Sequence, residues 1–62
     1  KELCTPLYLA AEAGHLEIVK MLVEAGASMT EKGRGSLRPL DVARAAEHQE
    51  IVAFLREQMG EP

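Results

Sequence analysis

The sequence predicts an all-α fold: a short solenoid of two helix-turn-helix units joined by a hairpin-like loop. Three observations lead there. Pro6-Leu7 and Pro39-Leu40 stand 33 positions apart, and matches continue at that offset without a gap: Ala10 with Ala43, His15 with His48, Glu17-Ile18-Val19 with Glu50-Ile51-Val52, Leu22 with Leu55, and Glu24 with Glu57. A fixed period of this length marks a repeat architecture, in which each unit is half of a core and needs a neighbour to bury its apolar face. Apolar residues recur at helical spacing in both copies. The composition, rich in alanine and with Tyr8 and Phe54 as its only aromatics, favours closely packed helices over a sheet.

Thr5-Pro6 opens the first helix, because a threonine hydroxyl caps an orphan N–H and proline at the first helical position forfeits no intrahelical bond. Leu7, Ala10 and Ala11 then share a face, and the two alanines would let another helix come close. Gly14 ends this run. From Leu16 the pattern resumes through Ile18, Val19, Met21, Leu22, Val23 and Ala25, a stripe wide enough to expect neighbours on two flanks. Met21 stands at core spacing within it. Gly26 supplies the left-handed residue that terminates a helix without steric cost.

Residues 27 to 38 lack a helical period, and Gly33, Gly35 and Ser36 bring turn chemistry between Met29 and Leu37. Pro39 restarts the pattern, with Asp41 in the first turn where its charge complements the helix dipole. Val42, Ala43 and Ala46 continue an inner face. A last helix is expected from Gln49 to Met59, apolar at Ile51, Val52, Phe54 and Leu55.

The two copies are unequal. Ala11, Leu16 and Val23 of the first become Arg44, Gln49 and Arg56 in the second, so the second has a water-compatible flank like that of a terminal unit. Residues 1–33 therefore read as an interior-type repeat and 34–62 as a C-terminal capping-type repeat. Leu3, Leu7, Leu16 and Val23 are expected to leave the N-terminal side apolar. Upstream repeats or a partner subunit would pack there, at Leu3, Leu7 and Leu16, because about three units are usually needed for independent stability. A chain of 62 residues is one small domain, and globules of this size bury only roughly 60% of their unfolded surface.

Bulk charge narrows the partners. The net charge of −3 gives no overall attraction to nucleic acid or an anionic membrane, and no apolar run is long enough to span a bilayer. Cys4 is the single cysteine, which excludes an internal disulfide and fits a reducing compartment.

The segment Thr5-Pro6-Leu7-Tyr8-Leu9-Ala10-Ala11, followed by Gly14-His15-Leu16-Glu17-Ile18-Val19-Lys20-Met21-Leu22 and Ala25-Gly26-Ala27, resembles an ankyrin repeat. The stretch Pro39-Leu40-Asp41-Val42-Ala43 to His48-Gln49-Glu50-Ile51-Val52-Ala53-Phe54-Leu55 resembles a degenerate C-terminal copy. This resemblance implies antiparallel helix pairs in a curved array, with finger loops projecting from it. It also implies protein–protein recognition in an intracellular setting, cytoplasmic or nuclear. Tyr8 and Asp41 stand where the family usually has histidine, so the bond that ring makes to the turn must be reorganised or lost. Arg38 stands in place of the capping threonine, a change that costs on the order of 1 kcal/mol unless another group, such as Asp41, compensates. Ser36 stands in place of the finger glycine.

Chemistry-bearing residues are few. His15 and His48 hold the same place in successive units, but no further Cys or carboxylate ligands stand at zinc-like spacing, so no metal site is expected. Cys4 has no readable general base or oxyanion arrangement, and no catalytic residue is assigned. Gly33 and Gly35 do not form a phosphate loop, and no cofactor is expected. Lys32, Arg34 and Arg38 make the finger locally basic, with Arg44 nearby in sequence; a solvated loop and a contact surface both fit these charges. Mapped residue by residue, the resemblance implies a partner surface at Glu2, Cys4, Glu12 and Ala13 of the first unit and at Lys32, Arg34, Leu37, Ala45 and Ala46 of the second. The expected function is a non-catalytic module that binds another protein. The alternative is a structural segment held permanently in a larger complex through its apolar N-terminal side.

Overall fold

A computed structural model of the chain describes residues 4–60. Four helices follow one another: α1 (Pro6–Ala13), α2 (Leu16–Glu24), α3 (Pro39–Ala45) and α4 (Gln49–Met59), with one turn of 3₁₀ helix, Arg34–Ser36, in the long loop before α3. No strand occurs among the described residues. α1 packs on both α2 and α3, and α3 packs on α4, whereas α2 and α4 touch much less. The result is an inner layer of α1 and α3 backed by an outer layer of α2 and α4.

Local chemistry fixes each boundary. The Thr5 hydroxyl accepts a bond of 3.1 Å from the Tyr8 N–H, which satisfies one of the amides left open at the start of α1. At the other end Gly14 adopts a left-handed φ of 85°, and the amides of Gly14 and His15 both reach the Ala10 carbonyl at 3.0 Å. After α2, Gly26 turns left-handed at φ 95°, the Gly26 amide donates to the Val23 carbonyl at 3.0 Å and that of Ala27 to Leu22 at 2.9 Å. That paired arrangement is a Schellman closure.

The end of α3 has the same closure with a less suitable residue. The Glu47 amide donates to Arg44 and that of His48 to Ala43, so Glu47 must take the left-handed position, at φ 63°. A side chain there crowds the following carbonyl. Glu47 is the 33-residue counterpart of Gly14, and its carboxylate also sits at the unfavourable end of the α3 dipole.

Asp41 replaces the missing threonine cap. Arginine has no acceptor atom, so only the return half of a capping box forms: the Arg38 N–H donates to Asp41 Oδ2 at 3.1 Å, and Arg38 Nε donates to the same oxygen at 3.0 Å. The Arg38 side-chain bond is the main reason that the Asp41 carboxyl is held below its ordinary pKa of 3.8; the backbone bond and the charges of Arg38 and Arg44 add to this, and partial burial opposes it.

One core runs through both layers. Leu7, Tyr8, Ala10, Ala11 and Val19 of the first unit bury with Leu40, Val42, Ala43, Ile51 and Leu55 of the second. The alanines at the α1–α3 contact let the inner helices approach closely. Across the outer layer, Lys20 Nζ lies 5.9 Å from the centre of the Phe54 ring, a modest cation–π contact.

The structure corrects which apolar residues are left uncovered. Leu7 is fully buried in the shared core, and half-buried Leu16 and Val23 pack against that core. Leu16 lines a crevice with His48, Gln49, Glu50 and Ile51, so it faces the second unit and not the N-terminal side. Leu3 lies outside the described residues. The exposed large apolar side chains are Leu9 at 45%, Ile18 at 42% and Met21 at 61%; Met21, expected to pack in the core, is the most open of them. The helix turns about 100° per residue, which puts Leu16 and Val23 on one flank of the α2 stripe and Ile18 and Met21 on the other.

Two outcomes follow from the caps. Glu47→Gly relieves the left-handed strain and removes the adverse charge, and should raise stability by about 0.5–1 kcal/mol in urea unfolding, whereas Gly14→Ala should lower it by about 2 kcal/mol. Because the Asp41 pKa is depressed on folding, its contribution is present above the ordinary value of 3.8 and is lost as pH falls through the lower folded value. Asp41→Asn should therefore lower stability by about 0.5–1 kcal/mol at neutral pH, with the gap from wild type closing in melts taken at progressively lower pH below 3.8.

Candidate partner-binding surface

The inner helices present the candidate residues at two ends. Lys32 and Leu37 belong to the loop that leads into the N-terminus of α3, together with the 3₁₀ turn that begins at Arg34. Cys4, a half-buried free thiol, immediately precedes the Thr5 cap at the corresponding end of α1. Glu12 and Ala13 lie at the opposite end of α1, and Ala45 and Ala46 at the opposite end of α3. The two groups are separated by the length of the helices, about 12 Å for eight residues at 1.5 Å each. Glu2 lies outside the described residues.

The loop end is built on a tyrosine and a glycine. Tyr8, only 2% exposed, packs closely on Gly33: a Cβ on Gly33 would fall 2.7 Å from Tyr8 Cδ2 and 2.8 Å from Cε2. No larger residue fits without displacing the ring. Beyond that anchor the Gly33 amide donates to the Leu37 carbonyl at 2.8 Å and the Ser36 amide to the Gly33 carbonyl at 3.1 Å, closing a tight hairpin-like turn. Gly35 and Ser36 both have left-handed backbones, at φ 65° and 61°. Leu37 and Met29 tuck against the core, half-buried, while Lys32, Gly35 and Ser36 are exposed.

At the other end the units are joined by a histidine. His48 Nε2 lies 3.0 Å from the Glu12 carbonyl; since a carbonyl can only accept, Nε2 carries the proton and donates. Its ring covers Gly14, where a Cβ would meet His48 Cε1 at 2.7 Å. This bond accounts for His48 as a structural side chain. Among the described residues no group of three or more His, Cys, Asp or Glu side chains could hold a metal ion. No described helix is long and apolar enough to cross a membrane.

The second unit ends in a polar flank. Arg44, Glu47, Gln49, Val52, Ala53 and Arg56 line a shallow groove between α3 and α4, so charged and amide groups stand around a narrow apolar floor.

Helix pairs, a shared two-layer core and a loop at the 33-residue joint together describe one repeat architecture, and comparison with known proteins names it. The family profile described as Ankyrin repeat matches residues 2–34. The chain belongs to the ankyrin repeat family. A potassium channel, GORK, from Arabidopsis thaliana is 43% identical over 53 residues, covering 86% of this chain and 6% of the channel. Ankyrin repeat and SOCS box protein 5 from Homo sapiens is 40% identical over 53 residues, again 86% of this chain and 16% of that protein. Alpha-latrocrustotoxin-Lt1a from Latrodectus tredecimguttatus is 44% identical over 43 residues, 69% of this chain and 3% of the toxin. The chain thus spans less than a fifth of the length of any of these relatives. Ankyrin repeats are in general protein–protein interaction modules, and that coarse role extends to this chain.

The packing of Tyr8 on Gly33 was not among the features expected from the sequence. Gly33→Ala should move the turn off its anchor: NMR amide shifts should change at Tyr8 and through residues 30–38 while those of α4 stay fixed, with a stability loss of about 1–3 kcal/mol from the overpacked contact.

Proposed function

We propose that this chain is a non-catalytic ankyrin recognition module, with residues 1–33 as an interior-type repeat and 34–62 as a C-terminal capping-type repeat. One observation carries the reading: the loop is fixed at its base by Tyr8 on Gly33, while Lys32, Gly35 and Ser36 near its tip are exposed. A rigid base under an exposed tip suits recognition, because little ordering entropy is lost when a partner docks. The partner is another protein, met by the loop at Lys32, Arg34 and Leu37 and by the helix ends at Glu12, Ala13, Ala45 and Ala46. Cys4, just before the α1 cap, borders the same surface. The polar flank at Arg44, Gln49 and Arg56 suits a unit that ends a stack in water.

A second reading rests on the N-terminal flank. At the 33-residue offset Leu9 corresponds to Val42, Ile18 to Ile51 and Met21 to Phe54. In the second unit Val42 and Ile51 are buried and Phe54 is half-buried. The exposed trio therefore occupies positions that the second unit covers with the first. His15 corresponds in the same way to His48, yet it is exposed and, among the described residues, its ring has no hydrogen-bond partner. Both facts support a preceding unit of the same kind, or a permanently bound subunit, seated at Leu9, Ile18 and Met21. Recognition and permanent packing use different residues and are compatible.

Charge reversal separates the two surfaces. Lys32→Glu with Arg34→Glu should weaken binding to a captured partner about tenfold at low salt and less at high salt, with helical circular dichroism unchanged. Equal capture by this variant and wild type would remove the loop from the interface. Leu37→Asp is a poorer probe, since Leu37 is half-buried against the core.

A further inference from the structure

Four residues carry an aliphatic hydroxyl: Thr5, Ser28, Thr30 and Ser36. Three are engaged. Thr5 caps α1, the Ser28 Oγ accepts from the Thr30 N–H at 3.3 Å, and Ser28 Oγ lies 3.4 Å from Thr30 Oγ1. Ser36 differs on each count. It is exposed, and among the described residues its Oγ has no hydrogen-bond partner. Its backbone is left-handed at φ 61°, a conformation that costs a side-chain-bearing residue about 1 kcal/mol relative to glycine. Neither capping nor packing accounts for a serine at this position, and an unexplained backbone outlier on an exposed loop is grounds for a functional role.

Its surroundings define the chemistry. Lys32 stands four positions before Ser36, Arg34 two before and Arg38 two after, with no carboxylate in residues 32–38 of a chain whose net charge is −3. Ser28 and Thr30 have no cation in the four positions before them. The turn that carries Ser36 lies between α2 and α3 and is closed by two backbone bonds, from Gly33 to Leu37 and from Ser36 to Gly33, so an enzyme cleft that straightens it breaks those two bonds and none within the four helices.

We propose that Ser36 is a phosphoryl-acceptor site for a serine/threonine kinase that selects basic residues before its target hydroxyl. In the transfer, Ser36 Oγ attacks the γ-phosphorus of a magnesium-bound nucleoside triphosphate. The new Oγ–P bond forms as the bond to the β-phosphate oxygen breaks, the hydroxyl proton passes to the kinase's base, and a nucleoside diphosphate leaves. Lys32 and Arg34 supply the positive charge that an acidic kinase groove reads. The product places about −1.5 to −2 charges among three cations, which offsets half or more of the basic charge of the loop. This site does not depend on which protein the loop meets; its effect on binding rests on the recognition reading above.

The test incubates the full chain with magnesium, ATP and a kinase of basic-residue preference, and locates phosphate by peptide mass spectrometry. One phosphate on Ser36 is expected, absent in Ser36→Ala and retained in Ser36→Thr. Lys32→Ala with Arg34→Ala should slow incorporation roughly tenfold, the weight of two solvent-exposed ion pairs. Circular dichroism checks that each variant keeps its helices. Phosphate on Ser28 or Thr30 in place of Ser36 would overturn the proposal, as would an unaffected Lys32/Arg34 variant. So would a synthetic peptide of residues 29–40 that accepts phosphate while the folded chain does not.

Discussion

Everything in this chain depends on how closely α1 and α3 approach. Ala10, Ala11 and Ala43 are buried at that contact, and their small side chains let two inner helices lie side by side while the larger Leu7, Leu40, Val19, Ile51 and Leu55 fill the space behind them. A helix pair of some 30 residues has too little interior to be stable alone. Shared burial across α1 and α3 turns two half-cores into one, and the loop, the caps and both end flanks are arranged around that fact. Arg44, the counterpart of Ala11, shows the converse: an exposed arginine where the first unit has an alanine keeps another helix from approaching as closely.

The two flanks follow from the same geometry. On one side Arg44, Gln49 and Arg56 keep water at the surface; on the other Leu9, Ile18 and Met21 hold apolar groups in contact with it. Exposed single apolar residues are ordinary on protein surfaces, but three at the positions that the neighbouring copy buries are not a scatter. The loop lies at the joint between units, so its orientation is set by Tyr8 of one unit and by α3 of the next. Its aim therefore depends on the helix stack being formed.

Helix boundaries were legible because punctuation residues announce them. Thr5-Pro6, Gly14, Gly26 and Pro39 each have one backbone requirement, and the observed ends lie at or beside them. The cap at Arg38 was legible in outline, since Asp41 was already the one carboxylate in the first turn of α3. Facing was harder. A stripe as wide as that of α2 shows that two flanks are apolar and not which neighbour each one meets, so Leu7, Leu16 and Val23 were assigned to the wrong side. The offset itself held the answer: positions 11, 16 and 23 turn polar in the second copy, while 9, 18 and 21 stay apolar as Val42, Ile51 and Phe54. The left-handed Glu47 was equally readable from its register with Gly14. The Tyr8–Gly33 contact was not, because it joins residues 25 positions apart through a shape that no periodicity records. Of the candidate surface, the sequence supplied the basic loop and the helix ends, and the structure added their division between opposite ends.

The bond from His48 ends on the main-chain oxygen of Glu12, and every amino acid carries that oxygen. The joint between units therefore constrains the path of the backbone at position 12 and leaves the identity of the residue there to other demands. In an array built this way mutation can rewrite the surface at such positions while the spacing of the units is inherited unchanged. Of the residues this ring touches in the neighbouring unit, Gly14 alone has its identity fixed by the contact, since a Cβ there would meet the ring.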